Sequence, residues 1–81
     1  MTVRVRFFAS LRERLRQNDI EWQLADGSTV GDLWHALCAT HPELTLVGAS
    51  ISFAVNHEYV ERDHTLNHGD EVALIPPVSG G

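Results

Sequence analysis

Thr29-Val30-Gly31-Asp32-Leu33-Trp34-His35-Ala36-Leu37-Cys38 is the stretch on which the fold turns. Thr29 can cap a helix, and Asp32, three residues on, approximates a capping box with a shorter acid than usual. Val30, Leu33, Trp34, Leu37 and Cys38 recur at i, i+3, i+4, i+7 and i+8, which puts them on one apolar stripe. His41-Pro42 ends the run, because a residue before proline avoids helical geometry. A helix with one apolar face needs a surface to lie on. The flanking sequence supplies it as strands on both sides.

Before the helix, Val3, Val5 and Phe7 alternate with Arg4, Arg6 and Phe8, a period of two that predicts a strand over Thr2 to Phe8. Ala9 to Arg16 reads as a short helix with Leu11 and Leu15 at i, i+4 and arginines on its polar side. Gln17-Asn18-Asp19 is a turn cluster, Ile20, Trp22 and Leu24 alternate as a second strand, and Asp26-Gly27-Ser28 turns into the long helix. After it, Glu43 to Ser50 reads as a loop, and Ile51, Phe53 and Val55 form a third strand. Asn56-His57 reads as a tight reversal into a fourth strand over Glu58 to Glu61. Leu66 to Asp70 is turn-like, Glu71 to Ile75 is a fifth strand, and Pro76-Pro77 ends pairing because neither proline can donate a backbone hydrogen bond. The expected class is α+β: a mixed sheet of about five strands with one main helix on one face.

The chain has 81 residues, 43% hydrophobic and 21% charged, which fits a single folded domain over residues 1–81. No apolar run reaches the roughly 20 residues of a membrane span, and Met1 to Arg6 alternates apolar and basic residues where a signal peptide needs an unbroken apolar core. The single cysteine excludes a disulfide framework, so a cytoplasmic domain held by packing is expected. A formal charge of −5 argues against a nucleic-acid partner, which needs a clustered positive surface. All six basic residues are arginine, so no lysine is offered for modification or Schiff-base chemistry.

The usual catalytic constellations do not occur. Cys38 lies on the helix stripe as a packed thiol. His64 and His68 sit in a turn without a third ligand, so no metal site is expected. His35 and His41 fall on the exposed side or end of the long helix, and His57 in a hairpin. Ser10, Ser28 and Ser50 have no base at useful spacing, and Asp19, Asp26, Asp63 and Asp70 fit turns. Without a phosphate-cradling glycine loop, the chain itself is not expected to bind ATP. What stands out is the end, Ile75-Pro76-Pro77-Val78-Ser79-Gly80-Gly81: a stiff exit from the last strand, then a tip without side chains. Glycine there lets another protein approach the backbone closely.

Gly80-Gly81 after such a domain resembles the ubiquitin-like β-grasp proteins. Within them the chain resembles the MoaD family, the small sulfur-carrying subunits of molybdopterin synthase. The resemblance covers essentially the whole chain. It rests on Val5-Arg6-Phe7-Phe8-Ala9, Arg12-Glu13, Ala54-Val55-Asn56, Gly69-Asp70-Glu71-Val72 and the Pro76-to-Gly81 end, and Arg6 and Ile75 depart from the aromatic or aliphatic residues frequent there. It implies that the Gly81 carboxylate is adenylated by a separate ATP-using enzyme resembling ubiquitin-activating enzymes. Sulfur then replaces one oxygen, and the thiocarboxylate attacks an activated carbon of cyclic pyranopterin monophosphate. The large synthase subunit would supply pocket and acid–base groups, and two small and two large subunits would form a heterotetramer. No cofactor is expected on this chain beyond the covalent sulfur on Gly81. Related carriers that serve thiazole or transfer-RNA thiolation, and ubiquitin-like modifiers, share such a tail.

Residues 76–81 are accordingly expected to form an exposed tail. In it Gly80 gives steric access to Gly81, while Pro76, Pro77, Val78 and Ser79 enter the partner and the prolines lower the entropy lost on insertion. If Val3, Val5 and Phe7 face the helix, Phe8 faces away, as does Ile75 when Val72 and Leu74 face in. With Tyr59, whose size and amphipathic character suit interfaces, these make a candidate docking patch. Arg12 can pair with an acidic residue of the partner.

Overall fold

The computed structural model describes residues 1–48 and 50–77. It contains β1 (Thr2–Phe7), α1 (Ala9–Leu15), β2 (Asp19–Gln23), α2 (Val30–Thr40), a 3-10 helix (Pro42–Val47), β3 (Ser52–Val55), β4 (Glu58–Val60) and β5 (Glu71–Ile75). The five strands form one sheet in the order β2-β1-β5-β3-β4. β1 and β5 run parallel and every other pairing is antiparallel, so the last strand fills the middle of the sheet.

One face of the sheet is the core. Val3, Val5 and Phe7 of β1, Val72 and Leu74 of β5 and Phe53 of β3 meet Val30, Leu33, Trp34 and Leu37 of α2, all buried. The strand alternation and the helical stripe read from the sequence converge on this layer. α2 starts as the capping box requires: Asp32 N–H donates to Thr29 Oγ1 at 3.2 Å, and Thr29 N–H donates to Asp32 Oδ2 at 2.9 Å. Gly31, in its first turn, lies against the chain after β4. Its N–H donates to the Arg62 carbonyl at 2.8 Å, and a Cβ there would sit 3.3 Å from that oxygen. Trp34 and Phe53 meet edge-on at 5.7 Å between centroids, with the Arg62 guanidinium over both rings.

Several bounds differ from the sequence reading: α1 ends at Leu15 rather than Arg16, β2 spans Asp19–Gln23 rather than Ile20 to Leu24, and β3 starts at Ser52 rather than Ile51. Residues expected to loop after His41 instead form the 3-10 helix Pro42–Val47, with Pro42 in its first turn and Leu44 buried in the core. It is too short to show helical periodicity, and one apolar anchor suffices to hold it. Phe8 lies beyond β1 and caps α1 with extended backbone angles, and β4 ends at Val60 rather than Glu61.

The hairpin between β3 and β4 is the tight one expected. Val55 pairs with Glu58, and Asn56 (φ 50°) and His57 (φ 74°) both take positive φ, the geometry of a two-residue I′ loop. Asparagine tolerates that region through its short polar side chain.

Candidate functional site

The residues that alternate with the core positions define the outer face of the sheet. Register places Arg6 beside Ala73, Ala73 beside Ala54, and Ala54 beside Tyr59, a row that crosses β1, β5, β3 and β4. Ile75 pairs with Ser52 one step nearer the end of β5. The two alanines keep the middle of the row low, and larger side chains border it. Tyr59 is 74% exposed, an unusual state for an aromatic ring on a folded domain. Phe8 and Ile75 are half-buried.

The sequence reading named Phe8, Tyr59 and Ile75, and the structure brings Tyr59 and Ile75 onto this face. Phe8 joins them through Arg6, whose guanidinium lies over its ring at 5.2 Å. Sequence reasoning missed Arg6, Ala54 and Ala73. For the alanines the signal was available, since each occupies an outward position in an otherwise large apolar strand. Arg12 is exposed on α1, away from any ion pair among the described residues.

Two of the motifs quoted from the sequence turn out to be one structural unit. Asn56 Nδ2 donates to Asp70 Oδ1 at 2.9 Å, Glu71 N–H donates to Asn56 Oδ1 at 3.0 Å, and Asn56 N–H donates to the Glu71 carbonyl at 2.8 Å. Asp70 Oδ2 also accepts from Asn67 N–H, and Gly69 turns the chain at φ 87°. Asn56 and the Gly69-Asp70-Glu71 run thus tie the β3–β4 hairpin to the start of β5. They fix the strand that carries the tail and do no chemistry themselves.

Glu71 reaches from this unit to the outer face. Arg6 Nη1 donates to its Oε1 at 2.9 Å. That hydrogen bond, opposed by desolvation and helped by the charges of Arg6, His57 and Arg4, holds the Glu71 carboxyl below its ordinary value of 4.5. On the core side, burial pushes the Cys38 thiol up, with Arg62 partly opposing, which makes it a poor nucleophile. His68 Nδ1 accepts a hydrogen bond from Thr2 N–H at 3.0 Å. Among the described residues no group of three His, Cys, Asp or Glu could hold a metal, and no helix is long and apolar enough to cross a membrane.

β5 runs toward the same end of the sheet as β1, so Pro76 and Pro77 leave beside Phe8 and the start of α1. Pro76 is buried and Pro77 exposed, so Pro76 is not part of an exposed tail as the sequence reading placed it. A proline that packs against the domain anchors the root of the tail. Val78, Ser79, Gly80 and Gly81 lie outside the described residues.

The model of the ThiS family matches residues 5–81, which takes in the tail. The chain belongs to the ThiS family. Its relatives include the molybdopterin synthase sulfur carrier subunit of Chlamydomonas reinhardtii, 42% identical and covering 100% of both chains. The Escherichia coli protein of the same description is 41% identical, over 98% of this chain and 99% of that one. Among solved structures, SAMP1 from Haloferax volcanii superposes with a TM-score of 0.88 at 31% identity, over 100% of both chains. The architecture of this ThiS-family chain is therefore the ubiquitin-like β-grasp, as the sequence resemblance implies.

Proposed function

We propose that this chain is the sulfur carrier subunit of a molybdopterin synthase and acts in the cytoplasm. The observation that carries the reading is the position of β5. It is the central strand, pinned by β1, β3 and the Asn56–Asp70–Glu71 network, and it delivers Pro76 and Pro77 to one edge of the exposed outer face. A partner that covers this face would receive the tail at the same time.

The chemistry follows from the terminus. A C-terminal carboxylate, with an ordinary pKa near 3.5, is ionised at pH 7 and resists nucleophiles. A ubiquitin-activating-like adenylyltransferase would bring ATP, join the Gly81 carboxylate to AMP and release pyrophosphate. A sulfur donor would then displace AMP and leave a thiocarboxylate. That sulfur, soft and nucleophilic, would attack cyclic pyranopterin monophosphate held by the large synthase subunit, and two such deliveries would make a dithiolene. Gly80 and Gly81 suit the task because a narrow tunnel admits them without a Cβ near the reacting atom. Phe8, Tyr59, Ile75 and Arg12 serve docking, and the acid–base groups belong to the large subunit.

The test is the intact mass after incubation with the adenylyltransferase, ATP and a sulfur donor. The expected result is a gain equal to exchanging one oxygen for sulfur, abolished by deletion of Gly81, followed by sulfur transfer when the large subunit and the pterin are added. An unchanged mass with a competent activator would sink the reading. The likeness to SAMP1 supports a second one, a ubiquitin-like modifier. It predicts instead an amide bond between Gly81 and a target lysine.

A further inference from the structure

Arg6 is the one cation in the row that crosses the outer face, next to Asp19 of β2, and it is held in place from two sides. Its guanidinium lies 5.2 Å from the Phe8 ring centroid and donates from Nη1 to Glu71 Oε1 at 2.9 Å, and its side chain stays 43% exposed. A guanidinium carries five N–H donors in a rigid fork. Among the described residues only the Glu71 hydrogen bond uses that fork, so the remaining donors face solvent. Stacking and the ion pair spare the entropy of ordering this long side chain on binding.

Covering the row strips that solvent. Ala73 and Ala54 on the β5 side of Arg6 offer no polar side chain, and Asp19, opposite it on β2, is paired with Arg4 at 3.8 Å and makes no hydrogen bond to Arg6, so the donors left by Glu71 are open to acceptors across the interface. A buried donor without an acceptor is costly, and more so when charged. We propose that Arg6 selects the partner: the large synthase subunit that pairs with this chain presents oxygen acceptors, carbonyl or carboxylate, directly against the Arg6 guanidinium. Glu71 acts as the positioning residue that aims it. A large subunit with only apolar side chains at that point would strand the fork and be rejected, which is specificity by exclusion. The inference rests on the sulfur-carrier reading and adds to it which partner surface fits.

The experiment is a calorimetric titration of the full chain against two large subunits. One is its own. The other comes from a synthase whose small subunit has an aliphatic residue at the position of Arg6. Arg6→Leu should weaken binding to its own large subunit by about tenfold, the equivalent of one lost charge-assisted hydrogen bond. It should strengthen binding to the other. Arg6→Lys, which keeps charge and loses the fork, should not restore the native affinity. Arg6→Leu/Glu71→Gln should stay weak, which excludes an orphaned Glu71 as the cause. Unchanged affinity of Arg6→Leu for its own subunit, equal loss toward both subunits, or full rescue by lysine would each overturn the proposal. Failure of the native chain to bind its own large subunit would instead remove the sulfur-carrier pairing, a different and visible outcome.

Discussion

The two faces of the sheet are built from alternate residues of the same strands, yet they obey opposite rules. On the helix side Val3, Val5, Val72 and Leu74 are at most 1% exposed and belong to one apolar cluster with α2. On the other side Arg6 and Ala73 are half-buried, Ala54 is buried between its neighbours and Tyr59 stands exposed, a shallow surface that mixes charge, methyl groups and a ring. The first arrangement maximises buried apolar area, at about 25 cal/mol per Å². The second leaves area unburied within the chain, which makes it available to another protein. Stability and recognition are thus separated by a single residue step along a strand.

The sharpest way to break this division is to truncate one side chain on each face. Leu33→Ala, in the middle of α2 and fully buried, should cost about 3 kcal/mol by leaving a cavity the core cannot close. For a domain this small that is a large share of the total, and a denaturant titration should show the midpoint fall accordingly. Tyr59→Ala should change stability by no more than about 0.5 kcal/mol, as for most surface positions. Its effect should appear in affinity for the large subunit. Comparable stability losses from the two variants would mean that the outer face is structural.

Smaller effects sharpen the same contrast. Cys38, on the core side, should react with iodoacetamide more slowly than a free thiol at the same pH, since burial raises its pKa, and unfolding should restore the rate. Glu71, on the outer side, has its carboxyl lowered in the folded state. Its contribution is therefore present above the ordinary value of 4.5 and is lost as pH falls through the lower folded value. Glu71→Gln should flatten the acid limb of a stability–pH profile by lowering stability on the neutral side, modestly because the pair is partly exposed, and leave stability at low pH little changed. A steep limb that survives in the variant would assign the acid sensitivity to other carboxylates.

Much of the helix face was legible in the sequence, because periodicity reports burial directly. Val30, Leu33, Trp34 and Leu37 announce α2, and Thr29 with Asp32 marks its start to the residue. The outer patch was legible in part: parity alone points Ile75 outward, and the size of Tyr59 singles it out. What could not be read is whatever depends on register between distant strands. Arg6 and Glu71 are 65 residues apart, and nothing local in either segment tells that they meet. The same holds for Asn56 and Asp70, which look like ordinary turn residues until the hairpin and β5 are brought together. The 3-10 helix was hidden for another reason. Leu44 is its sole buried residue, and a single apolar side chain has no period.

The order of the sheet has a consequence for how the protein is made. β5 is the last strand to leave the ribosome, yet β1 and β3 touch only through it. Until it emerges, the chain holds two separate strand pairs, β1–β2 and β3–β4, with α2 unable to bury its stripe against a complete surface. The closing contacts span most of the sequence, so they form late. A copy that stops before Val72 lacks the strand that joins β1 to β3 and should be cut by proteases faster than the whole chain. Translation through β5 is thus a condition of survival, and it brings synthesis to the root of the tail before the domain is secure.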